Sequence, residues 1–496
     1  MRFLAACLIG VSVTCAAAGT SPAAHVGRTV RTLAVGYGSD ADLSRAVRGG
    51  RATIVHRIPA LHVAEVIPHV GGFASSARRA PGIRFVQQTV SRRSHVEPAL
   101  FDMTSLGVPY EWQFVATHAN AVPPAVLRAA ASVTVAVIDT GVDTSAPDIA
   151  AKAPRVVSLH SGIDTRDLNG HGTFVSSLAA GSVTNGEGIA GFGGDAKLLV
   201  VKASRNDGTL TDLDEANAVV YAVDHGARVI NLSVGGPDTS ITERRGIEYA
   251  SDHDVLVVAA AGNEHDQGNP VEYPAALLQP PGSNGQGGVG LAVGATTIDG
   301  TRASFSNTGS QISLVAPGED VFGAVSSFAD PHFYPRVALP GSQSGSYGFA
   351  SGTSFAAPEV AGAAALVFAA NPLLTPEDVA SILKETASGQ GAWTPELGFG
   401  QLDVAAAVAR AQGGGSVTVS SIRSGGRLRL RWSSTNAVRY RVLVRVDGGS
   451  NTVLFDATPR TSAVVTLRRR HHYVFTVAAL DGNDEVTASS VLAVRG

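Results

Sequence analysis

The chain has 496 residues, a formal net charge of −3 and 44% hydrophobic residues, a composition typical of a folded globular protein. Its length exceeds what one hydrophobic core accommodates, so a single small domain is excluded and two or more domains are expected. Both cysteines, Cys7 and Cys15, lie in the first 18 residues. A mature chain cut near Ala18 therefore cannot be stabilised by disulfides.

Charge is distributed unevenly along the chain. Residues 19–96 carry a net charge of +8 and residues 413–496 carry +7, whereas residues 97–412 carry −19. Such asymmetry bears on association and solubility rather than on fold. No aromatic-interleaved basic motif accompanies the arginines, and the run 468–470 is interpreted as a solvated face, so no nucleic-acid partner is expected.

The N-terminus predicts an export signal over residues 1–18. Arg2 supplies the positive charge, Phe3 to Val13 the apolar run, and residues 16–18 a small-residue cleavage site. The alternative is a lipoprotein acylated at Cys15, but residues 12–14 are a poor approach to such a cysteine. The apolar run is too short to span a bilayer and no later run reaches about 18 apolar residues, so no membrane span is expected. We expect a secreted protein.

Residues 28–96 predict a small α+β unit. Strand and helix patterns alternate in the order of a split βαβ arrangement. The predicted strands are Val30–Tyr37, Thr53–Ile58, Leu61–Ile67 and Ile83–Val90, and the predicted helices are Asp40–Val47 and Gly72–Arg79.

From Val133 onwards the pattern predicts an α/β domain. Short, continuously apolar runs of the kind found in buried parallel strands are separated by helical stretches such as Leu213–His225. We expect a doubly wound, mostly parallel sheet with functional residues at its carboxyl strand ends. The predicted strands are Val133–Ile138, Leu198–Ala203, Val229–Leu232, Val255–Ala260 and Gly290–Val293.

A glycine-rich break at residues 413–416 precedes a third unit, 416–496. Period-2 apolar runs recur there at short spacing and predict a small β-sandwich. The predicted strands are Val417–Ile422, Leu428–Trp432, Tyr440–Val446, Thr461–Leu467 and Tyr473–Ala479.

Three short stretches are candidates for catalytic chemistry. Asp139 ends a predicted strand, His171 lies between two glycines before a helical run, and Ser354 begins an alanine-rich helix. Singly, each has an ordinary structural interpretation: a turn-forming carboxylate, a structural histidine and a helix N-cap serine. Together, in the order Asp, His, Ser and in these contexts, they form a highly specific signature.

On these motifs the sequence resembles the subtilisin-like serine proteases, or subtilases, over residues 108–412. The resemblance implies that Ser354 is the nucleophile, that His171 is its general base and then acid, and that Asp139 orients the imidazole. It further implies that Asn263, which follows a predicted strand, forms the oxyanion hole with the backbone N–H of Ser354. The implied activity is a secreted serine endopeptidase that acts through an acyl-enzyme.

The same resemblance assigns the substrate-binding residues. Ser233, Val234 and Gly235 match the segment that pairs with substrate as an extra strand. Glu272, just before Tyr273 and Pro274 of the sequence, corresponds to the base of the primary specificity pocket, and Glu264 to its rim. A carboxylate in such a pocket predicts a preference for Arg or Lys before the scissile bond, although a solvated surface glutamate is the alternative interpretation.

Two flanking units also resemble units of known families. Residues 28–96 are similar to the subtilase propeptide, which implies an inhibitor and folding aid removed by self-cleavage near Arg92 and Arg93. The +8 charge of the N-terminal segment suits docking on the −19 catalytic segment. Residues 416–496 resemble a fibronectin type III-like sandwich, with Trp432 in its core and Tyr473 near its penultimate turn.

Asp148 matches a calcium ligand of the family, and Asn185 lies where the rest of that loop is expected. The amino-acid sequence of this loop departs from the usual pattern of the family. A structural Ca²⁺ bound by carboxylate, amide and carbonyl oxygens is therefore an expectation about stability, and no cofactor is needed for catalysis.

Two other functions are alternatives to a peptidase. A lipase-type hydrolase requires Gly-x-Ser-x-Gly and the order Ser, Asp, His, but Ala356 stands where the second glycine is needed. A catalytically dead surface binding protein is the alternative function, yet it is expected to lose a triad or oxyanion residue and none is lost. We expect a monomer that acts on proteins and peptides and is inhibited by its own propeptide.

Overall fold

The computed structural model describes residues 32–48, 51–94, 110–186, 188–337, 346–372, 374–413, 417–424, 426–434, 439–447, 452–480 and 486–495. The predicted export signal, both cysteines and Glu187 lie outside the described residues.

The N-terminal unit has the predicted order of strands and helices. Its elements are β1 (Leu33–Tyr37), α1 (Asp40–Val47), β2 (Ala52–Ile58), β3 (Val63–Pro68), α2 (Phe73–Arg78) and β4 (Ile83–Gln88). The strands form one antiparallel sheet in the order β2-β3-β1-β4. Alternate residues of this sheet pack with the two helices around Phe73, which is 1% exposed. A separate short strand, β5 (Ser91–Ser94), follows β4.

The central unit follows, built on parallel strands and helices. Its elements are α3 (Trp112–Ala116), α4 (Pro124–Ala129), β6 (Thr134–Asp139), α5 (Pro147–Ala150), β7 (Arg155–Ser158), α6 (His171–Ala180), β8 (Lys197–Lys202), β9 (Thr209–Thr211), α7 (Asp212–Asp224), β10 (Val229–Leu232), β11 (Val234–Gly235), α8 (Ile241–Asp252), β12 (Leu256–Ala260), α9 (Ala275–Leu278), β13 (Gly290–Thr296), β14 (Leu314–Pro317), β15 (Val321–Ala324), β16 (Arg336–Val337), β17 (Tyr347–Ala350), α10 (Thr353–Ala370), α11 (Pro376–Glu385) and α12 (Val404–Gly413).

Seven of these strands form one parallel sheet in the order β14-β13-β12-β10-β6-β8-β7. Its strands are buried on both faces: Val135 and Val137 of β6 face the cluster that contains α6 and α10, whereas Ala136 and Ile138 face the cluster that contains α7 and α8. This is a three-layer α/β/α arrangement, and it confirms the predicted doubly wound parallel sheet.

Helix α10 is the central helix of one layer. By length and composition it is the one helix in the described part of the chain that could cross a membrane, but 89% of it is buried inside the protein. A helix that is apolar all round is explained by burial in a core, since α10 contacts α6, α12 and strands β10, β12 and β13. Its N-terminus, which carries Ser354, points to the edge where β6, β10 and β12 end.

The C-terminal unit consists of two antiparallel sheets, as expected of a β-sandwich. Its strands are β18 (Val417–Ser424), β19 (Arg427–Ser434), β20 (Arg439–Val446), β21 (Thr452–Thr458), β22 (Ser462–Thr466), β23 (His472–Leu480) and β24 (Val486–Arg495). One sheet has the order β18-β19-β22 and the other β21-β20-β23-β24. Trp432 is 3% exposed in the shared core, and the Tyr473 hydroxyl accepts a hydrogen bond from Arg468 N at 2.8 Å.

Two strands of this unit, β21 and β24, were not predicted from the sequence. Both are edge strands of the four-stranded sheet. No residue of β21 is fully buried, so its apolar alternation is weak, and the Ala-Ser-Ser stretch of β24 hides the period in the sequence.

Candidate active site

Asp139 is the last residue of β6, and it lies at the carboxyl edge of the sheet with 1% of its surface exposed. Oδ1 accepts two hydrogen bonds, from Thr140 N at 2.7 Å and from His171 Nδ1 at 2.8 Å. The carboxylate therefore fixes which ring nitrogen of His171 carries a proton, and it leaves Nε2 as the nitrogen that can accept one.

His171 is the first residue of α6 and is 1% exposed. Its ring lies 5.6 Å from that of Phe355, the residue after Ser354. A buried imidazole held between a carboxylate and an aromatic ring has one orientation, which is the condition for directed proton transfer.

Ser354 is the second residue of α10 and is fully buried. Its Oγ donates to the Ser233 carbonyl at 3.3 Å, and its own carbonyl accepts from Ser233 Oγ at 2.7 Å. These contacts join the start of α10 to the residue between β10 and β11. The serine is therefore placed beside the segment predicted to pair with substrate.

Asn263 follows β12 and is 7% exposed. Its Oδ1 accepts from Thr353 N at 2.8 Å and from Thr353 Oγ1 at 2.9 Å. Because the amide oxygen is held in this way, Nδ2 is the donor that the side chain presents on its other side. The structure thus brings Asn263 next to the residue before Ser354, as an oxyanion donor requires.

A buried carboxylate that the sequence interpretation did not single out supports the start of α6. Asp167 Oδ1 accepts from Thr140 Oγ1 and from Gly170 N, both at 2.8 Å. Oδ2 accepts from Thr173 N and Thr173 Oγ1, both at 2.7 Å. Burial raises the pKa of Asp167, and the four hydrogen bonds oppose that rise. This carboxylate ties the turn after Asp139 to the helix that carries His171.

Two glutamates converge on the backbone of Gly262. This glycine has φ +104°, and a Cβ there would lie 2.7 Å from Glu272 Cγ and 2.9 Å from Glu264 Oε2. Glu272 is 4% exposed, and Glu264 Oε2 accepts from Asn263 N at 2.7 Å. Glu272 is therefore not a solvated surface residue, and both glutamates lie against Gly262, the residue before Asn263.

The segment predicted to pair with substrate is already paired. Strand β11 (Val234–Gly235) binds β5 in antiparallel register, with Val234 opposite Ser94 and Gly235 opposite Arg93. On its other side β5 pairs with β9, where Arg92 is opposite Leu210. The N-terminal segment thus lies as the middle strand of a three-stranded sheet next to Ser233.

The predicted calcium loop lies in one cavity of about 230 Å³ that is lined by Glu111, Asn185 and neighbouring backbone. Asp148 Oδ1 accepts from Asn185 Nδ2 at 2.9 Å, and Oδ2 accepts from Tyr347 Oη at 2.9 Å. Within the described residues no three His, Cys, Asp or Glu side chains are grouped as metal ligands. In this arrangement the amide of Asn185 donates its hydrogen bond to the carboxylate of Asp148.

Residues 130–400 match the peptidase S8, or subtilase, family. The chain belongs to the subtilase family of serine proteases. Halolysin of Haloferax mediterranei is 33% identical over 434 residues, which are 83% of this chain and 75% of halolysin. The thermophilic serine proteinase of Bacillus sp. strain AK1 is 36% identical over 234 residues, 47% of this chain and 51% of that protein. Subtilisin E of Bacillus subtilis is 32% identical over 266 residues, 52% of this chain and 61% of subtilisin E.

This subtilase therefore spans about half the length of the AK1 proteinase and about three fifths of subtilisin E. Two solved structures share its fold. Fervidolysin from Fervidobacterium pennivorans, a keratinolytic enzyme related to subtilisin, has a TM-score of 0.63 at 22% identity and covers 94% of this chain and 76% of its own. The epidermin leader peptide processing protease of Staphylococcus aureus has a TM-score of 0.60 at 20% identity, and the match covers 77% of this chain and 99% of that protease.

Several residues of the site were missed by the sequence interpretation. Asp167 lies three residues before the N-cap Gly170, outside the N-cap-to-N3 spacing of a capping box, so no capping pattern in the sequence marks it. Arg92 was considered only as a cleavage signal, yet its side chain is 0% exposed between Glu215 and Glu243. No local pattern could have found that group, because its members lie about 120 and 150 residues from Arg92 along the chain.

Proposed function

We propose that this subtilase is a serine endopeptidase that hydrolyses peptide bonds through Asp139, His171 and Ser354. The observation that carries the proposal is the Asp139–His171 hydrogen bond at 2.8 Å, at the sheet edge where Ser354 and Asn263 also lie. Ser354 Oγ attacks the scissile carbonyl carbon while His171 Nε2 takes its proton. Asn263 Nδ2 and the Ser354 N–H stabilise the oxyanion.

Collapse of the tetrahedral intermediate breaks the C–N bond, and His171 returns the proton to the departing amine. Water then enters, His171 takes a proton from it, and the resulting hydroxide attacks the acyl-enzyme ester. The second product leaves with a free carboxylate, and Ser354 regains its proton.

The test compares three chains on casein: the unchanged protein, Ser354→Ala, and Ser381→Ala as a matched control on α11. We expect Ser354→Ala to lose activity by about 10⁶-fold, the loss known for this kind of triad, and Ser381→Ala to keep it. Casein cleavage by Ser354→Ala at the unchanged rate contradicts the assignment of the nucleophile.

We further propose that the protein is made as a secreted precursor that processes itself. The supporting observation is β5, which lies on β11 beside Ser233 and so leads toward the nucleophile. Ser354→Ala should accumulate with the N-terminal unit attached, and N-terminal sequencing of the unchanged protein should begin a few residues after Arg93.

The signal proposal predicts that the exported precursor lacks residues 1–18. Retention of these residues in the exported protein contradicts it.

The two glutamates that lie against Gly262, at the proposed specificity pocket, support the proposed preference for Arg or Lys before the scissile bond. Because Glu272 is 4% exposed, a cationic side chain that enters the pocket meets a poorly hydrated carboxylate. In a peptide library we expect cleavage after Arg and Lys, and Glu272→Gln should reduce that preference about 10-fold or more. Equal cleavage after Arg and Leu by the unchanged enzyme contradicts this assignment.

We also propose a structural Ca²⁺ site at Asp148, Asn185 and Glu111. Glu111 and Asn185 line one cavity, and Asp148 binds Asn185. Carboxylate and amide oxygens suit this ion, and a half-turn of the Asn185 amide exchanges its donor for an oxygen. The ion would add stability and take no part in the reaction. Chelation should lower the melting temperature of the unchanged protein and not that of Asp148→Asn. Identical responses in the two chains contradict the site.

A further inference from the structure

Strand β5 occupies the place of a bound peptide. It pairs antiparallel with β11 and with β9, which do not pair with each other. Removal of β5 leaves two strand edges facing each other across a slot, which is how an extended peptide is recognised by backbone pairing. The contacts of β5 therefore describe what a substrate strand meets in the same slot.

The register fixes which substrate residue corresponds to Arg92. Gly235 is opposite Arg93 and Val234 is opposite Ser94. A peptide in this register that continues by one residue places that residue opposite Ser233, whose carbonyl accepts from Ser354 Oγ at 3.3 Å. That residue precedes the scissile bond. The position of Arg92 is three residues earlier, which makes it the fourth residue before the scissile bond.

The Arg92 side chain is enclosed by acidic residues of two helices. Its Nε donates to Glu243 Oε1 at 3.1 Å, and Nη2 lies 2.7 Å from Glu243 Oε2. Nε also lies 3.5 Å from Glu215 Oε2. Arg92 is 1% exposed as a residue, and both glutamates are buried as deeply. We name Glu215, Glu243 and Asp212, the first residue of α7, the acidic slot.

The acidic slot holds three carboxyl groups, more than the single guanidinium of Arg92 pairs with. All three are buried together, and one guanidinium faces them. Burial raises the pKa of Glu215 well above its ordinary value, the charge of Glu243 adds to the rise, and Arg92 opposes it. Without a cation in the slot, these buried groups either stay charged and poorly hydrated or take up a proton, and a guanidinium in the slot favours the charged, paired form.

The shape of the slot favours arginine over lysine. Two guanidinium nitrogens face the two oxygens of Glu243: Nε donates a hydrogen bond to Oε1, and Nη2 forms an ion-pair contact with Oε2. A single ammonium group cannot reproduce this two-point contact. A third group, Nη1, donates to the Ser91 carbonyl at 3.2 Å. A Cβ at Gly236 would lie 3.4 Å from Nη1, so the glycine lets the backbone form one wall of the slot.

We infer that the acidic slot is a second specificity site of this protease, and that it selects substrates with arginine at the fourth residue before the scissile bond. The inference rests on the proposed peptidase activity and extends it to a substrate class: segments that carry an arginine there in addition to the residue that fills the pocket at Glu272. Glu215 and Glu243 are the specificity-determining residues. Arg92 of the N-terminal segment is the internal copy of that substrate residue.

The test uses the processed wild-type enzyme and peptides that differ only at the fourth residue before the scissile bond. Arginine is compared with citrulline, its neutral isostere, and with lysine, while the residue before the bond is arginine in all peptides. We expect kcat/KM to fall about 10-fold or more from arginine to citrulline, with lysine between them. Equal kcat/KM for arginine and citrulline overturns the inference.

Variants then locate the preference. Glu243→Gln and Glu215→Gln should bring the arginine-to-citrulline ratio toward one, whereas Glu248→Gln, an exposed change on α8, should leave the ratio unchanged. A ratio unchanged in both slot variants overturns the assignment to the acidic slot. A variant that fails to fold does not remove the test, because the peptide comparison in the wild-type enzyme stands alone. An enzyme that cuts neither these peptides nor casein contradicts the peptidase activity itself, and the inference with it.

Discussion

Two buried acidic regions of the central unit, one at Asp167 and the other the acidic slot, differ in where their partners come from. Behind His171, Asp167 accepts four hydrogen bonds from residues 140, 170 and 173, all within 33 residues along the chain. In the acidic slot, Glu215 and Glu243 share one guanidinium that belongs to a separate N-terminal strand.

This difference distinguishes a carboxylate that supports the protein backbone from carboxylates that recognise a ligand. A carboxylate saturated by donors of its own neighbourhood has no capacity for a ligand, so it holds backbone in place. Carboxylates whose countercharge arrives on another segment retain that capacity when the segment is exchanged for a substrate. Changes behind His171 should therefore affect all substrates alike, whereas changes in the acidic slot should affect them selectively.

The largest effect is expected at Asp139. Asp139→Asn keeps the shape but lets the amide donate toward His171, which favours the wrong tautomer. We expect kcat to fall about 10⁴-fold with KM little changed, by the same factor for arginine and citrulline peptides. Steady-state kinetics on both peptides measure this. A loss that differs between the two peptides contradicts the expectation that changes at Asp139 and His171 affect all substrates alike.

A smaller loss is expected at Asn263. Asn263→Ala removes a donor that acts on the oxyanion, so kcat should fall about 10²–10³-fold, again equally for both peptides. Thermal unfolding serves as the control for a structural effect, because Oδ1 also accepts two hydrogen bonds from Thr353. A raised KM with unchanged kcat argues against oxyanion stabilisation.

Asp167 tests the supporting region through stability. Asp167→Asn places an NH₂ group against two donors and should lower the free energy of unfolding by about 3 kcal/mol. Asp164→Asn is the matched control, since this exposed residue pairs only with the nearby Arg166 in the contacts described. Denaturant unfolding in the Ser354→Ala background avoids self-digestion. Equal stability of the two variants contradicts a supporting role for Asp167.

The smallest effect is a pH dependence from the acidic slot. The pKa of Glu215 is raised in the folded protein, so the folded state binds this proton more tightly than the unfolded state. Its contribution to stability is therefore complete below the ordinary glutamate pKa and is lost as pH rises through the folded-state pKa.

Glu215→Gln lacks this loss. In the Ser354→Ala background we expect Glu215→Gln to melt at a higher temperature than the chain that keeps Glu215, by a margin that grows as pH rises above the ordinary glutamate pKa. Glu248→Gln should show no such trend. A margin that is constant with pH excludes titration of Glu215 as its source.

The large elements of the fold could be predicted from the sequence because burial on both faces leaves continuous apolar runs. The strand prediction Val229–Leu232 agrees with β10 to the residue, and the five predicted strands of the parallel sheet lie within three residues of the observed bounds. Edge strands β21 and β24 were missed; β21 has no fully buried residue, so its apolar pattern is weak.

The sequence by itself determined the three motifs proposed to be catalytic, because each is a short local pattern at a strand end or helix start. Tertiary structure alone decided that Glu272 is buried beside Gly262 and that Asp167 supports the turn after Asp139. It also decided that Arg92 lies among the acidic residues of α7 and α8. Charge pairing between distant segments depends on which strand edges meet, and no spacing along the chain encodes that contact.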